Sequence, residues 1–269
     1  FDGNQKLGMV TDALWTDINN DTWPDLIVVG EWMPIKIYQN IDGKSFKDIS
    51  DQYNLAKTNG WWTSITAADV DGDGDEDFLL GNAGTNNQLN VSLEQPVTCY
   101  ALDINKDGRI DPILCSYIQG KSYPLPSRDE LLEQAVILRK KFIKYADYAD
   151  ATIEDVLDKD QLEKAQKLTA YTLESAVLEN KGDGKFELKS LPEMAQVSMI
   201  NAFVQHDFDS DGAEEILAAG NFYPYRVEIG SSDASKGILL KFDNGKSQVY
   251  KTNSQLALSG DIRDMAVLK

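Results

Sequence analysis

Short apolar runs of strand type recur along the chain, and pairs of them bracket polar, acidic stretches. Met9–Thr16, Trp61–Ala68, Val97–Leu102 and Ser198–His206 have this character, and their followers are Leu26–Gly30, Phe78–Gly81, Pro112–Tyr117 and Ile216–Gly220. A third apolar segment and a turn come later, in YQNIDGKSFKDI around Asn40, LENKGDGKFELKSL around Asn180 and LKFDNGKSQVYK around Asn244. Asp-Gly and Asn-Gly at these turns supply the positive φ angles that tight hairpins require. The pattern predicts all-β repeats of four antiparallel strands at residues 9–60, 61–96, 97–197 and 198–259. GDIRDMAVLK at 260–269 reads as the start of a fifth.

One segment breaks the rhythm. Residues 127–172 lose the two-residue alternation and take helical spacing, with Leu131, Leu132, Ala135, Leu138 and Phe142 on one stripe. Ser127 followed by Glu130 predicts a capping box, after Pro124 and Pro126, and a second helical segment is expected from Lys159 to Tyr171. This is a helical insertion between the second and third strands of the third repeat. Radial arrays of four-stranded units bury both faces of such repeats, so residues 1–269 are expected to form one β-propeller segment, incomplete at both ends.

The acidic stretches share a spacing: DINNDTWPDLIVV from Asp17, DVDGDGDEDFLL from Asp69, DINKDGRIDPIL from Asp103 and DFDSDGAEEILA from Asp207. Oxygen side chains at positions 1, 3, 5 and 9, a backbone carbonyl at 7 and usually Gly at 6 make the oxygen shell that Ca²⁺ prefers. An EF-hand needs an acidic ligand at position 12; here that position holds Val28, Leu80, Leu114 and Ala218, all in strand-like runs.

The loops also explain much of the charge. Four Ca²⁺ would bring the formal −18 to −10, and an acidic chain does not suit a nucleic-acid partner. Arg139, Lys140, Lys141 and Lys144 form a basic stretch too short to alter this and read as a solvated helix face. No apolar run reaches the roughly 20 residues that span a bilayer. The chain starts at Phe1, so it is expected to begin inside a longer precursor. Because millimolar calcium is an extracellular or envelope condition, a secreted, cell-surface or envelope-attached location is expected.

D-x-[DN]-x-D-G-x-x-[DE] before an apolar strand, with the later N-x-G-x-G-x-F turn, resembles the FG-GAP or VCBS repeat of integrin-type β-propellers. The helical insertion, with SYPLPSRDELL and KKFIKYADYADATIEDVL, looks like the cartilage-acidic-protein-like relatives often associated with an ASPIC/UnbV segment. The resemblance implies one Ca²⁺ per loop, about four in all. Its ligands would be Asp17, Asn19, Asp21 and Asp25 with the Trp23 carbonyl; Asp69, Asp71, Asp73 and Asp77 with that of Asp75. In the later loops they would be Asp103, Asn105, Asp107 and Asp111 with the Arg109 carbonyl, and Asp207, Asp209, Asp211 and Glu215 with that of Ala213. Thr22 departs from the pattern where the others have Gly74, Gly108 and Gly212.

If the loops lie at one end of the strands, the connections at the other end carry the variable chemistry: Glu31 and Trp32, Gly84–Asn87, the insertion, and Phe222, Tyr223 and Tyr225 around Pro224. These suit an extracellular protein or glycan partner, although the same aromatics could instead pack between sheets. Of Trp61 and Trp62, alternation places one inward and one outward. Catalysis is poorly supported: His206 is the sole histidine, which rules out a His-based catalytic metal site within the chain, and no G-x-S-x-G motif occurs. The alternative is a calcium-assisted, lyase-like polysaccharide-processing propeller. Cys99 and Cys115 lie symmetrically about the third loop, either cross-strand neighbours able to form a disulfide or small buried thiols.

Overall fold

The computed structural model describes residues 7–182, 184–224, 230–243, 245–250 and 257–268. The chain forms two compact units, residues 1–88 with 173–269, and residues 89–172 between them. In the first sheet β1 (Met9–Thr16), β2 (Asp25–Met33), β3 (Lys36–Ile41) and β4 (Ser45–Asp48) follow one another antiparallel, and β5 (Gly60–Trp61) joins β2. The second sheet opens with β6 (Ser64–Ala68) and β7 (Asp77–Gly81).

The smaller unit then intervenes. It contains β8 (Val97–Leu102), β9 (Asp111–Ile118), β10 (Lys121–Pro124), α1 (Arg128–Gln134), α2 (Tyr145–Tyr148), α3 (Ile153–Val156), α4 (Lys159–Lys164) and β11 (Gln166–Ala170). The second sheet resumes with β12 (Ala176–Asn180) and β13 (Phe186–Ser190), and a further sheet holds β14 (Ile200–His206), β15 (Glu215–Gly220), β16 (Ile238–Asp243) and β17 (Lys246–Val249).

This connectivity corrects the expected repeat boundaries. β12 pairs with β7, with Ala176 opposite Leu80 and Leu178 opposite Phe78, so the second sheet has the order β6-β7-β12-β13. The second repeat is not abbreviated, and residues 97–197 are not one repeat. Residues 89–172 are nested between the second and third strands of the second repeat, and they include the third acidic loop as well as the helices. The nested sheet has the order β10-β9-β8-β11, with its first strand inside and not at an edge.

Burial shows why the sheets of the larger unit hold together. On the second sheet Phe78, Leu80 and Leu178 pack with Ile27, Val29 and Ile37 of the first repeat and with Trp62. Leu79 and Val177, pointing to the other face, pack with Ile200, Phe203, Ile216, Ala218 and Leu240. Successive sheets are also tied by backbone. Trp61 pairs with Glu31, the Ile200 N–H donates to Asn82 O at 3.1 Å, and the Ile262 N–H donates to Gly220 O at 3.1 Å. At Gly81 a Cβ would lie 2.2 Å from Ile200 O, so this close approach needs glycine. Residues 260–268 thus meet the preceding sheet as expected of a following repeat, but they form no strand.

Three further expectations change. Trp61 and Trp62 are both buried, so neither faces outward: Trp61 belongs to the first sheet through β5, while Trp62 enters the core between sheets and donates its indole N–H to Thr58 O at 2.8 Å. The second helical segment stops at Lys164, and Gln166–Ala170 pairs with β8 as a strand. In the nested sheet Cys115 lies opposite Thr98 and Cys99 opposite Leu114. That register is one residue from the symmetric one and puts the thiols on opposite faces, which excludes a cross-strand disulfide. Burial pushes the Cys115 thiol up to about 12.

The Ser127–Glu130 capping box is present, and Leu131, Leu132, Ala135, Leu138 and Phe142 all enter the core of the nested unit. No helix among the described residues is long and apolar enough to cross a membrane.

Candidate metal-binding loops

All four acidic loops adopt one conformation, and their own carboxylates organise it. The position-1 carboxylate accepts two backbone N–H groups: Asp17 from Asp21 (3.0 Å) and Thr22 (2.7 Å), Asp69 from Gly72 (2.7 Å) and Gly74 (3.1 Å). Asp103 accepts from Asp107 (3.0 Å) and Gly108 (2.8 Å), and Asp207 from Asp211 (3.1 Å) and Gly212 (3.0 Å). At position 5, Asp21, Asp73, Asp107 and Asp211 accept from the N–H of Trp23, Asp75, Arg109 and Ala213, the residues whose carbonyls were expected to be ligands. Position 6 has left-handed φ in every loop, 74° for Thr22 and 92°, 88° and 89° for Gly74, Gly108 and Gly212.

Position 9 begins the second strand of each pair and is buried: Asp25, Asp77, Asp111 and Glu215. Each accepts from the position-2 N–H, that of Ile18, Val70, Ile104 or Phe208, at 2.9 to 3.2 Å. In two loops the other oxygen accepts from the end of the third strand, Asp25 from Asn40 N and Asp77 from Asn180 N, both at 2.7 Å. The asparagine side chains then accept from Gly43 N and Gly182 N and shape the next hairpin. This contact places Asn180 with the second loop, where the sequence had suggested the third repeat.

Burial raises the carboxyl of Asp77 to about 6, against the two N–H groups that favour its charged form. Burial likewise raises Asp25 and Asp111. Carboxyl oxygens converge to within 4.8 Å of one another in Asp69, Asp71 and Asp77, and in Asp207, Asp209 and Glu215. A donor set made only of hard oxygens fits a calcium-like cation, whose charge would offset the crowding of carboxylates. In the first and third loops Asn19 and Asn105 stand at position 3, which leaves fewer carboxylates to converge; Asn19 donates its amide to Asp21 at 2.9 Å.

Among the described residues, those expected at the other end of the strands lie apart: Glu31 and Trp32 belong to β2, and Phe222 and Tyr223 follow β15. Glu31 lies between Met9 and Trp61 across the first sheet, and burial raises its pKa. Trp32 has φ 62°, unusual for a bulky side chain, and packs edge-on against Trp61 with ring centres 5.2 Å apart. The Trp61 indole N–H is buried without an acceptor among the described residues. Phe222 bridges to Ser232 under the Arg263 guanidinium, Tyr223 is exposed, and Tyr225 lies outside the described residues, as does Asn244. His206 packs edge-on against Phe208.

Sequence reasoning missed a cleft of about 320 Å³ between the first and second loops, lined by Trp15, Thr16, Asn20, Gly74, Glu76 and Asn180. The Thr16 hydroxyl donates to Glu76 across it. Only the nonlocal packing of two repeats creates this space, so no local motif marks it.

Residues 17–80 match the FG-GAP-like repeat family, a window running from the first aspartate of the first loop to the strand that follows the second. Over that window the chain is similar to those repeats. No curated protein matches the chain.

Proposed function

We propose that the chain is a calcium-stabilised β-propeller segment located outside the cytoplasm, serving as a protein- or glycan-binding module. The convergence of Asp69, Asp71 and Asp77 in a loop whose ninth residue is buried carries the metal part of the reading. Asp69, Asp71, Asp73 and Asp77, with the Asp75 carbonyl, would hold the ion of the second loop. The ion would supply fixed positive charge and close the hairpin; nothing in the loop requires it to act on a substrate. The radial arrangement is supported by the core packing of successive four-stranded sheets and by the contact of each new repeat with the preceding second strand. The SYPLPSRDELL segment supports placing the nested unit with the cartilage-acidic-protein-like branch.

Binding is favoured over catalysis because Glu31 and Trp32 lie at one connection and Tyr223 at another, while the chain's single histidine, His206, packs against Phe208 beside the fourth acidic loop. Calcium titration of the chelated protein, followed by thermal melting, tests the first part: no rise in melting temperature would refute calcium stabilisation. A glycan array and a panel of extracellular proteins test the second. Release of an unsaturated product from uronic-acid polysaccharides would instead establish a lyase.

A further inference from the structure

The third strands set a different side chain against each loop of the larger unit. β3, β12 and β16 place Tyr38, Leu178 and Leu240 opposite Leu26, Phe78 and Ile216. One residue onward, level with Asp25, Asp77 and Glu215, stand Gln39, Glu179 and Lys241. A neutral amide, an added carboxylate and an ammonium therefore occupy the same register in three repeats.

The consequence at the fourth loop is direct. Lys241 Nζ lies 2.7 Å from Asp211 Oδ2 and 3.2 Å from Glu215 Oε1, and the Tyr250 hydroxyl donates to Asp209 Oδ2. Three of the four side chains expected to ligate an ion there are already held by side chains from outside the loop. Glu215 is fully buried, and a buried carboxylate requires a partner. The second loop differs. Its nearest ammonium, that of Lys181, stays 3.9 Å from Asp71 while contacting Glu179 at 2.7 Å, and among the described residues no cation contacts Asp69 or Asp77.

We infer that Lys241 is the built-in counter-cation of the fourth loop, which therefore closes without a divalent ion and admits one only when the ammonium leaves. An ammonium brings one positive charge and three N–H donors to carboxylates that calcium would bind directly, and the two cations repel at this range. At the second loop Lys181 and Lys189 both pair with Glu179, so their ammoniums answer that carboxylate, and among the described residues none substitutes for an ion at Asp69 or Asp77. The inference rests on the proposed calcium reading of the other loops.

Calcium titration calorimetry and hydrogen exchange of the whole chain, with and without chelator, provide the test. In the wild type, chelation should speed exchange in 69–77 and leave 207–215 unchanged. Lys241→Gln, which installs the residue found at this register in the first sheet, should bind one more calcium ion and make 207–215 chelator-sensitive. Lys241→Arg should behave as the wild type. Equal sensitivity of both segments in the wild type overturns the inference alone, as does a folded Lys241→Gln that binds no additional ion. If Lys241→Gln does not fold, the wild-type comparison of 69–77 with 207–215 decides by itself. Absence of calcium binding at every loop overturns the calcium reading and this inference with it.

Discussion

The carboxylate of Asp77 accepts the backbone N–H of Asn180 at 2.7 Å, although the whole nested unit separates the two residues in sequence. Its other oxygen accepts Val70 N at 2.9 Å, so one buried side chain fastens the acidic loop to both of its neighbouring strands. Asp111, in the nested unit, has the loop contact with Ile104 N but, among the described residues, no counterpart of the Asn180 contact. Hydrogen bonds to a charged group contribute about 1.5–3 kcal/mol each. Asp77→Ala should therefore destabilise the larger unit by about 3–5 kcal/mol, and Asp111→Ala should cost the nested unit about half as much. Denaturant unfolding followed by exchange within each unit measures both; equal losses would remove the special role of the Asn180 contact.

The acidic loops and the strands beside them were legible because their signals are local: alternation, a fixed ligand spacing, and glycine at the left-handed position. The nesting was not. Leu80 pairs with Ala176 across an inserted unit that carries its own acidic loop, and the nearest loop in sequence was a false guide to strand partners. The turns after Asn40 and Asn180 play the same part, because both asparagines donate their backbone N–H to the ninth residue of a loop, but which loop Asn180 serves is set by tertiary strand pairing and not by the turn. The cysteine geometry failed for a different reason. A register shift of one residue exchanges the faces of a strand, and sequence symmetry about a loop does not fix register to that accuracy.

Nesting makes a structural prediction of its own. Gly84 N donates to Leu173 O at 2.8 Å, and Asn82 N donates to Ser175 Oγ at 3.0 Å. The two ends of the excised segment are thus already adjacent, within reach of a connection of ordinary hairpin length. Replacing residues 89–172 with a short Gly-Ser linker should leave a folded larger unit that melts cooperatively. Circular dichroism and sedimentation would check it, and an aggregated or non-cooperative product would show that the larger unit depends on the nested one.

Thr22 occupies a backbone conformation that glycine occupies in the other three loops, with φ 74°. A β-branched residue there stores about 1–3 kcal/mol of strain, partly offset by the greater chain entropy that glycine loses on folding. Thr22→Gly should stabilise the protein by about 1 kcal/mol, with a melting temperature higher by roughly 2–4 °C. A melting scan at fixed calcium checks this. Unchanged or lower stability would mean that the Thr22 side chain makes a compensating contribution in the first loop.

Glu31 gives a prediction about pH that is separate from the acidic loops. It stands in β2 just after Gly30, where the corresponding residues after Gly81 and Gly220 are Asn82 and Asn221. Those amides bind backbone, with Asn82 Oδ1 accepting from Trp61 N at 3.1 Å and Asn221 Oδ1 from Ser235 N at 3.0 Å. Burial between Met9 and Trp61 instead raises the Glu31 carboxyl above its ordinary value of 4.5. The folded chain then holds this proton more tightly than the unfolded chain. Stability from Glu31 is complete below the ordinary value and is lost as pH rises through the raised one. Glu31→Gln lacks this dependence. Its stability relative to the wild type should increase from about pH 4.5 upward and level off once the wild-type carboxyl is ionised in both states. Paired chemical denaturation of the two proteins across that range isolates Glu31 from every carboxylate they share. A stability difference that does not change with pH would show that the Glu31 carboxylate is compensated in the folded protein.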